Sequence, residues 1–166
     1  MTKKMSAVLS MLVLALVIQS AGQSTPSTAK SVRENFVSVN QKVLTMAKDF
    51  PEDKYGFKLK PEMRSFGEVI VHIASGNIYA TKAGRGEKVN WDEADAQNYK
   101  SKGEIVAMLE KSIHDADGTL KNVTDASLAK NVEPWLDVME HSAEHYGLLV
   151  AYYRANGLVP PESRPK

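Results

Sequence analysis

Four stretches of this chain carry apolar residues at spacings of three and four, and no stretch alternates apolar with polar residues. That pattern confines the fold to helices. Side chains three or four apart share one helix face, whereas a half-buried strand needs a period of two. In residues 31–48 the apolar face is Val32, Phe36, Val39, Val43 and Met46. In 65–81 it is Phe66, Val69, Ile70, Ile73 and Ile78, and in 101–121 it is Ile105, Met108, Leu109, Ile113 and Leu120. The fourth helix is expected over 133–156. Ser65 with Glu68, and Ser101 with Glu104, have the form of capping boxes that open the second and third helices. Gly157 stands where a left-handed cap ends the fourth, with Pro160-Pro161 beyond it. "AGRGEKVNWDEADAQNY" reads as a long polar connection, and "TDASLAKN" as a turn or short helix. The expectation is an all-α, four-helix bundle over residues 31–162. A chain of 166 residues holds one such domain with a real core.

The N-terminus has a separate logic. Lys3-Lys4 precede an apolar run from Ala7 to Ile18, and the small residues Ser20-Ala21-Gly22 follow. This order matches a secretory signal. The run is shorter than the roughly 20 residues a membrane-spanning helix needs. We therefore expect a signal peptide at 1–22, a mature chain from Gln23, a polar linker over 23–30, and export to a periplasmic or extracellular space with no stable membrane span.

Composition excludes several function classes. The chain has no cysteine, so disulfides, thiolate metal sites and cysteine nucleophiles are all absent. Its 21 basic and 20 acidic residues nearly balance. Loss of residues 1–22 removes only Lys3 and Lys4, and no basic run remains as a footprint for nucleic acid. Gly84-Arg85-Gly86 lacks the strand and helix of a phosphate loop. Asn122-Val123-Thr124 matches a glycosylation acceptor, a pattern common by chance.

The chemistry concentrates in the histidines. His141 and His145 are one turn apart on the fourth helix, so their rings leave one face and can chelate a single ion. Two such histidines are as often plain surface residues. His72 lies between Val71 and Ile73 on the apolar second helix. A lone buried histidine is usually a core residue, but one that meets a paired set across a bundle is a ligand candidate. His114, beside Asp115 and Asp117, has no such setting.

The segment "HSAEHYGLLVAYYRANGLVPP" resembles the C-terminal signature of DinB-like proteins, a damage-inducible four-helix family. "RSFGEVIVHIASGNIYA" is similar to that family's second-helix segment. The resemblance covers about residues 31–162. It implies that His72, His141 and His145 bind a divalent metal ion, zinc or nickel, and that the chain is a metal-dependent hydrolase or transferase. It also implies a small-molecule ligand or substrate and a possible homodimer through bundle faces. Tyr146 and Leu148 stand where many members carry arginine and glutamine, so no specific reaction carries over. Thiol-transferring relatives use cytosolic thiols, which an exported protein does not meet. The alternative is a non-catalytic bundle that binds a metal or small ligand.

Three imidazoles leave positions on the ion open, as in catalytic rather than structural zinc. Catalysis would need a proton acceptor. Glu68 is one turn before His72, but its competing place in the capping box is favoured. Glu140 and Glu144 are expected in solvent. Tyr146 is either a donor at the pocket edge or core aromatic surface, and Tyr79 and Tyr152 are assigned to packing.

Overall fold

The computed structural model describes residues 27–165. The expected signal peptide and residues 23–26 of the linker lie outside the described residues. Five helices are present among the described residues: α1 Thr28–Asp49, α2 Phe66–Gly84, α3 Lys102–Leu120, the one-turn α4 Asp125–Leu128, and α5 Glu133–Ala155. Short 3₁₀ turns sit at Glu52–Lys54, Ala96–Asn98 and Pro161–Ser163. No strand occurs among the described residues, only an isolated bridge between Lys58 and Ser65.

Helix boundaries follow from local chemistry. α1 begins at Thr28, three residues before the expected start. The reason is distant in sequence: Asp125 Oδ1 accepts from the Ala29 amide at 2.7 Å and from the Ser27 hydroxyl at 2.6 Å. A carboxylate from α4 thus caps an orphan amide of α1. At α2 the capping box is complete. The Glu68 amide donates to Ser65 Oγ at 3.3 Å, and the Ser65 amide donates to Glu68 Oε2 at 2.5 Å. α5 ends in a Schellman motif. Gly157 adopts a φ of 69°, and the amides of Gly157 and Leu158 bond the carbonyls of Arg154 and Tyr153.

The long helices form a ring in which α1 and α2 occupy opposite corners, each packed on α3 and α5. The core has two apolar clusters. One holds Phe50, Phe66, Ile70, Ile73, Leu149 and Tyr153, with the Phe50 and Phe66 rings stacked at 3.8 Å. The other holds Val32, Phe36, Ala80, Ala116 and Trp135. Ile78, expected on the apolar side of α2, is exposed. The inward positions beside it are taken by Asn77, Ala80 and Thr81.

Candidate metal centre

α2 and α5 are neighbours, and their contact brings the three predicted histidines to one place. His72 projects from the middle of α2. His141 and His145 project from one face of α5. One ring nitrogen from each lies within 4.8 Å of the other two. His72 Nε2 and His141 Nε2 are 2.9 Å apart. The ring centroids are separated by 4.7, 4.8 and 4.5 Å. His114 is exposed on α3 and belongs to a different cleft.

This approach is possible because α2 carries no side chain at Gly76. A Cβ there would stand 3.0 Å from His141 Nδ1 and Cε1. The glycine therefore makes the seat for the His141 ring.

The donor set fits a divalent ion. Burial, followed by the nearby His145 and His72 rings, pushes His141 down to about 4 from its usual 6.5. Burial also lowers His145, with His72 adding to the effect. Both rings are neutral at pH 7 and present lone pairs. Zinc–nitrogen bonds of about 2.0–2.1 Å at tetrahedral angles separate the nitrogens by about 3.3 Å. The His72–His141 pair meets that spacing with a shift of a few tenths of an ångström.

The long connection 85–101 closes over one side of this group, and here sequence reasoning missed several residues. Glu93 Oε2 lies 3.0 Å from His72 Nδ1 and 3.0 Å from Arg64 Nη2. The oxygen is off the ring's N–H axis, so the first contact is electrostatic rather than an aligned hydrogen bond. Trp91, about half exposed, stands edge-on to His72 at 5.6 Å and to His141 at 6.3 Å. Tyr79 flanks the indole at 5.8 Å. The Ala94 amide donates to the buried Ser75 hydroxyl at 3.1 Å, which pins the loop to α2. The available signal was length, since connections longer than about 12–15 residues are commonly functional.

Of the carboxylates considered from the sequence, Glu68 lines the same cleft as His145, but its carboxylate is already engaged. Glu68 is held by its capping box, and the backbone hydrogen bond from Ser65 lowers its pKa. Glu140 and Glu144 are exposed. Tyr152 is fully buried and donates to the Arg64 carbonyl, while Tyr146 packs against the larger apolar cluster.

The family model of the DinB superfamily matches residues 35–152, most of the chain, including all three histidines. The chain belongs to the DinB superfamily. Among curated proteins, none matches this sequence. The all-α bundle and the grouping of His72, His141 and His145 agree with that membership.

Proposed function

We propose that this DinB-superfamily protein is an exported, metal-dependent hydrolase of small molecules. The observation that carries the reading is the convergence of three imidazoles beside an open cleft of about 720 Å³. His145 lines that cleft together with Arg64, Glu93, Leu148 and Tyr152. His72, His141 and His145 would hold a divalent ion, which would supply Lewis-acid activation of water. Glu93 balances the charge beside His72, and its second oxygen, Oε1, takes no part in the Arg64 or His72 contacts. That oxygen would serve as the proton acceptor, the general-base role. Arg64 holds the Glu93 carboxylate at the cleft wall, and Trp91 limits solvent access above the rings. Export is supported by Lys3-Lys4, the apolar run and Gly22, and N-terminal sequencing of the mature product should begin at Gln23.

A second reading, metal binding without turnover, is favoured by the double engagement of Glu93 Oε2. One experiment separates the two. Elemental analysis of the dialysed protein should give one divalent ion per chain, followed by a screen for ester, amide and phosphoester hydrolysis. Glu93→Gln should retain the ion and lose about 10²–10⁴-fold in turnover. An ion held with no turnover, or turnover unchanged in Glu93→Gln, assigns the site to binding or the base to another group. A chain with no ion overturns both readings.

A further inference from the structure

The centre of this bundle is polar. Asn40 of α1, Asn77 of α2, Ser112 of α3 and Ser142 of α5 are all buried, one from each long helix. Along its helix, each falls between the two apolar clusters. Phe36 and Val43 bracket Asn40, and Ile73 and Ala80 bracket Asn77. Leu109 and Ala116 bracket Ser112, and Val138 and Leu149 bracket Ser142. The four residues therefore share one layer across the bundle.

The hydrogen bonds in this layer run in one direction. The Phe36 carbonyl can only accept, so Asn40 must offer it Nδ2, at 3.1 Å. Asn40 Oδ1 is then left to accept from Asn77 Nδ2 at 2.9 Å. Asn77 Nδ2 also donates to Ser112 Oγ at 3.2 Å, and Ser112 Oγ donates to the Leu109 carbonyl at 2.8 Å. This order fixes the amide orientation of Asn77. It leaves Asn77 Oδ1 as an acceptor, buried and without a protein partner. Ser142 Oγ and His141 Nδ1 are also buried without partners. His141 precedes Ser142, and its ring rests on Gly76, the neighbour of Asn77. One spare acceptor on α2 and two spare donors on α5 thus lie buried on the two helices that carry the metal-ligand candidates.

We propose that Asn77 and Ser142 hold one internal water that accepts the His141 Nδ1–H and so aims His141 Nε2 at the ion. A buried water typically makes about three hydrogen bonds. This one accepts from His141 Nδ1–H and from the Ser142 hydroxyl, and donates to Asn77 Oδ1. All three spare groups are then satisfied. The proton stays on Nδ1, and the Nε2 lone pair points toward His72 Nε2. Metal-bound histidines need such a partner on the second nitrogen. For His72 the neighbouring acidic group comes from the loop residue Glu93. For His141 the partner comes from the bundle core. Asn77 and Ser142 are positioning residues that act through the ligand, and the inference rests on the metal reading for the destination of the lone pair.

The test uses the full chain, ¹⁵N-labelled and loaded with zinc. The His141 Nδ1–H should give a slowly exchanging proton signal with a cross-peak to a long-lived bound water. Ser142→Ala should remove the water cross-peak and speed that exchange. Ser142→Thr, which keeps the hydroxyl, should restore both. Asn77→Leu should lower zinc affinity about tenfold while leaving His145 bound. Circular dichroism checks that each variant is folded, and if Asn77→Leu unfolds, the two Ser142 variants decide. An unchanged Nδ1–H signal and unchanged zinc affinity in folded Ser142→Ala overturn the proposal. Failure of the metal reading looks different, because the wild-type chain itself would then take up no zinc.

Discussion

Replacing His72 by alanine should lower zinc affinity by more than about 100-fold, beyond the range of 10–100-fold that loss of an outer-shell partner costs. Among the described residues only imidazoles converge at this point, and His141 and His145 alone would leave an ion with two protein ligands on one helix face. His114→Ala leaves the affinity unchanged, because that ring is exposed on α3. The pH dependence of the same titration is informative. His141 is held near 4, below its ordinary 6.5, so between those values it stays neutral in the fold and gives up no proton on binding. His145 is lowered in the same direction. Across that window, zinc uptake therefore releases fewer than three protons per ion. In the metal-free chain the unfolded state binds more protons than the native one between about 6.5 and 4, so stability falls as pH drops through that interval. Isothermal titration in buffers of different ionisation enthalpy reads the proton count. A slope of three protons at pH 5.5, or full affinity in His72→Ala, contradicts the geometry.

Why so much of this site was legible from the sequence is a matter of periodicity. A spacing of four on a helix fixes two rings on one face without knowledge of any other element. His72 needed one further step, the placement of a polar ring within an apolar run. The helix limits were readable for the same local reason, through Ser65, Ser101 and Gly157. What escaped was non-local. Glu93, Arg64 and Trp91 lie in connections where no period ties a residue to its neighbours, and only the folded loop brings Glu93 to His72. The start of α1 was missed because its cap comes from Asp125, on α4. Ile78 was misplaced because a hydrophobic side chain at helical spacing was assumed to face inward. Asn77 takes the inward place next to it for the sake of a partner on α1, and no pattern within α2 discloses that.

Trp135→Ala should cost about 3–5 kcal/mol of stability, the range for loss of a large buried aromatic side chain. The indole is only 1% exposed and meets Phe36 edge-on at 6.2 Å. It also lies against Gly84, the last residue of α2. A Cβ at Gly84 would collide with Trp135 Cζ2 and stand 2.5 Å from Cε2 and 2.8 Å from Nε1. The two sites are therefore coupled, and a double-mutant cycle exposes the coupling. In the wild-type background Gly84→Ala should be destabilising by about 1–3 kcal/mol, because the methyl group overpacks a filled site. With Trp135 already alanine, the same change meets open space. The helix preference for alanine over glycine, up to about 1 kcal/mol, then makes it neutral or stabilising. Urea unfolding of the metal-free protein measures all four corners of the cycle, with midpoints compared at constant m. The sign reversal is the decisive feature. If Gly84→Ala costs the same in both backgrounds, the indole is not what fills the space beside the glycine.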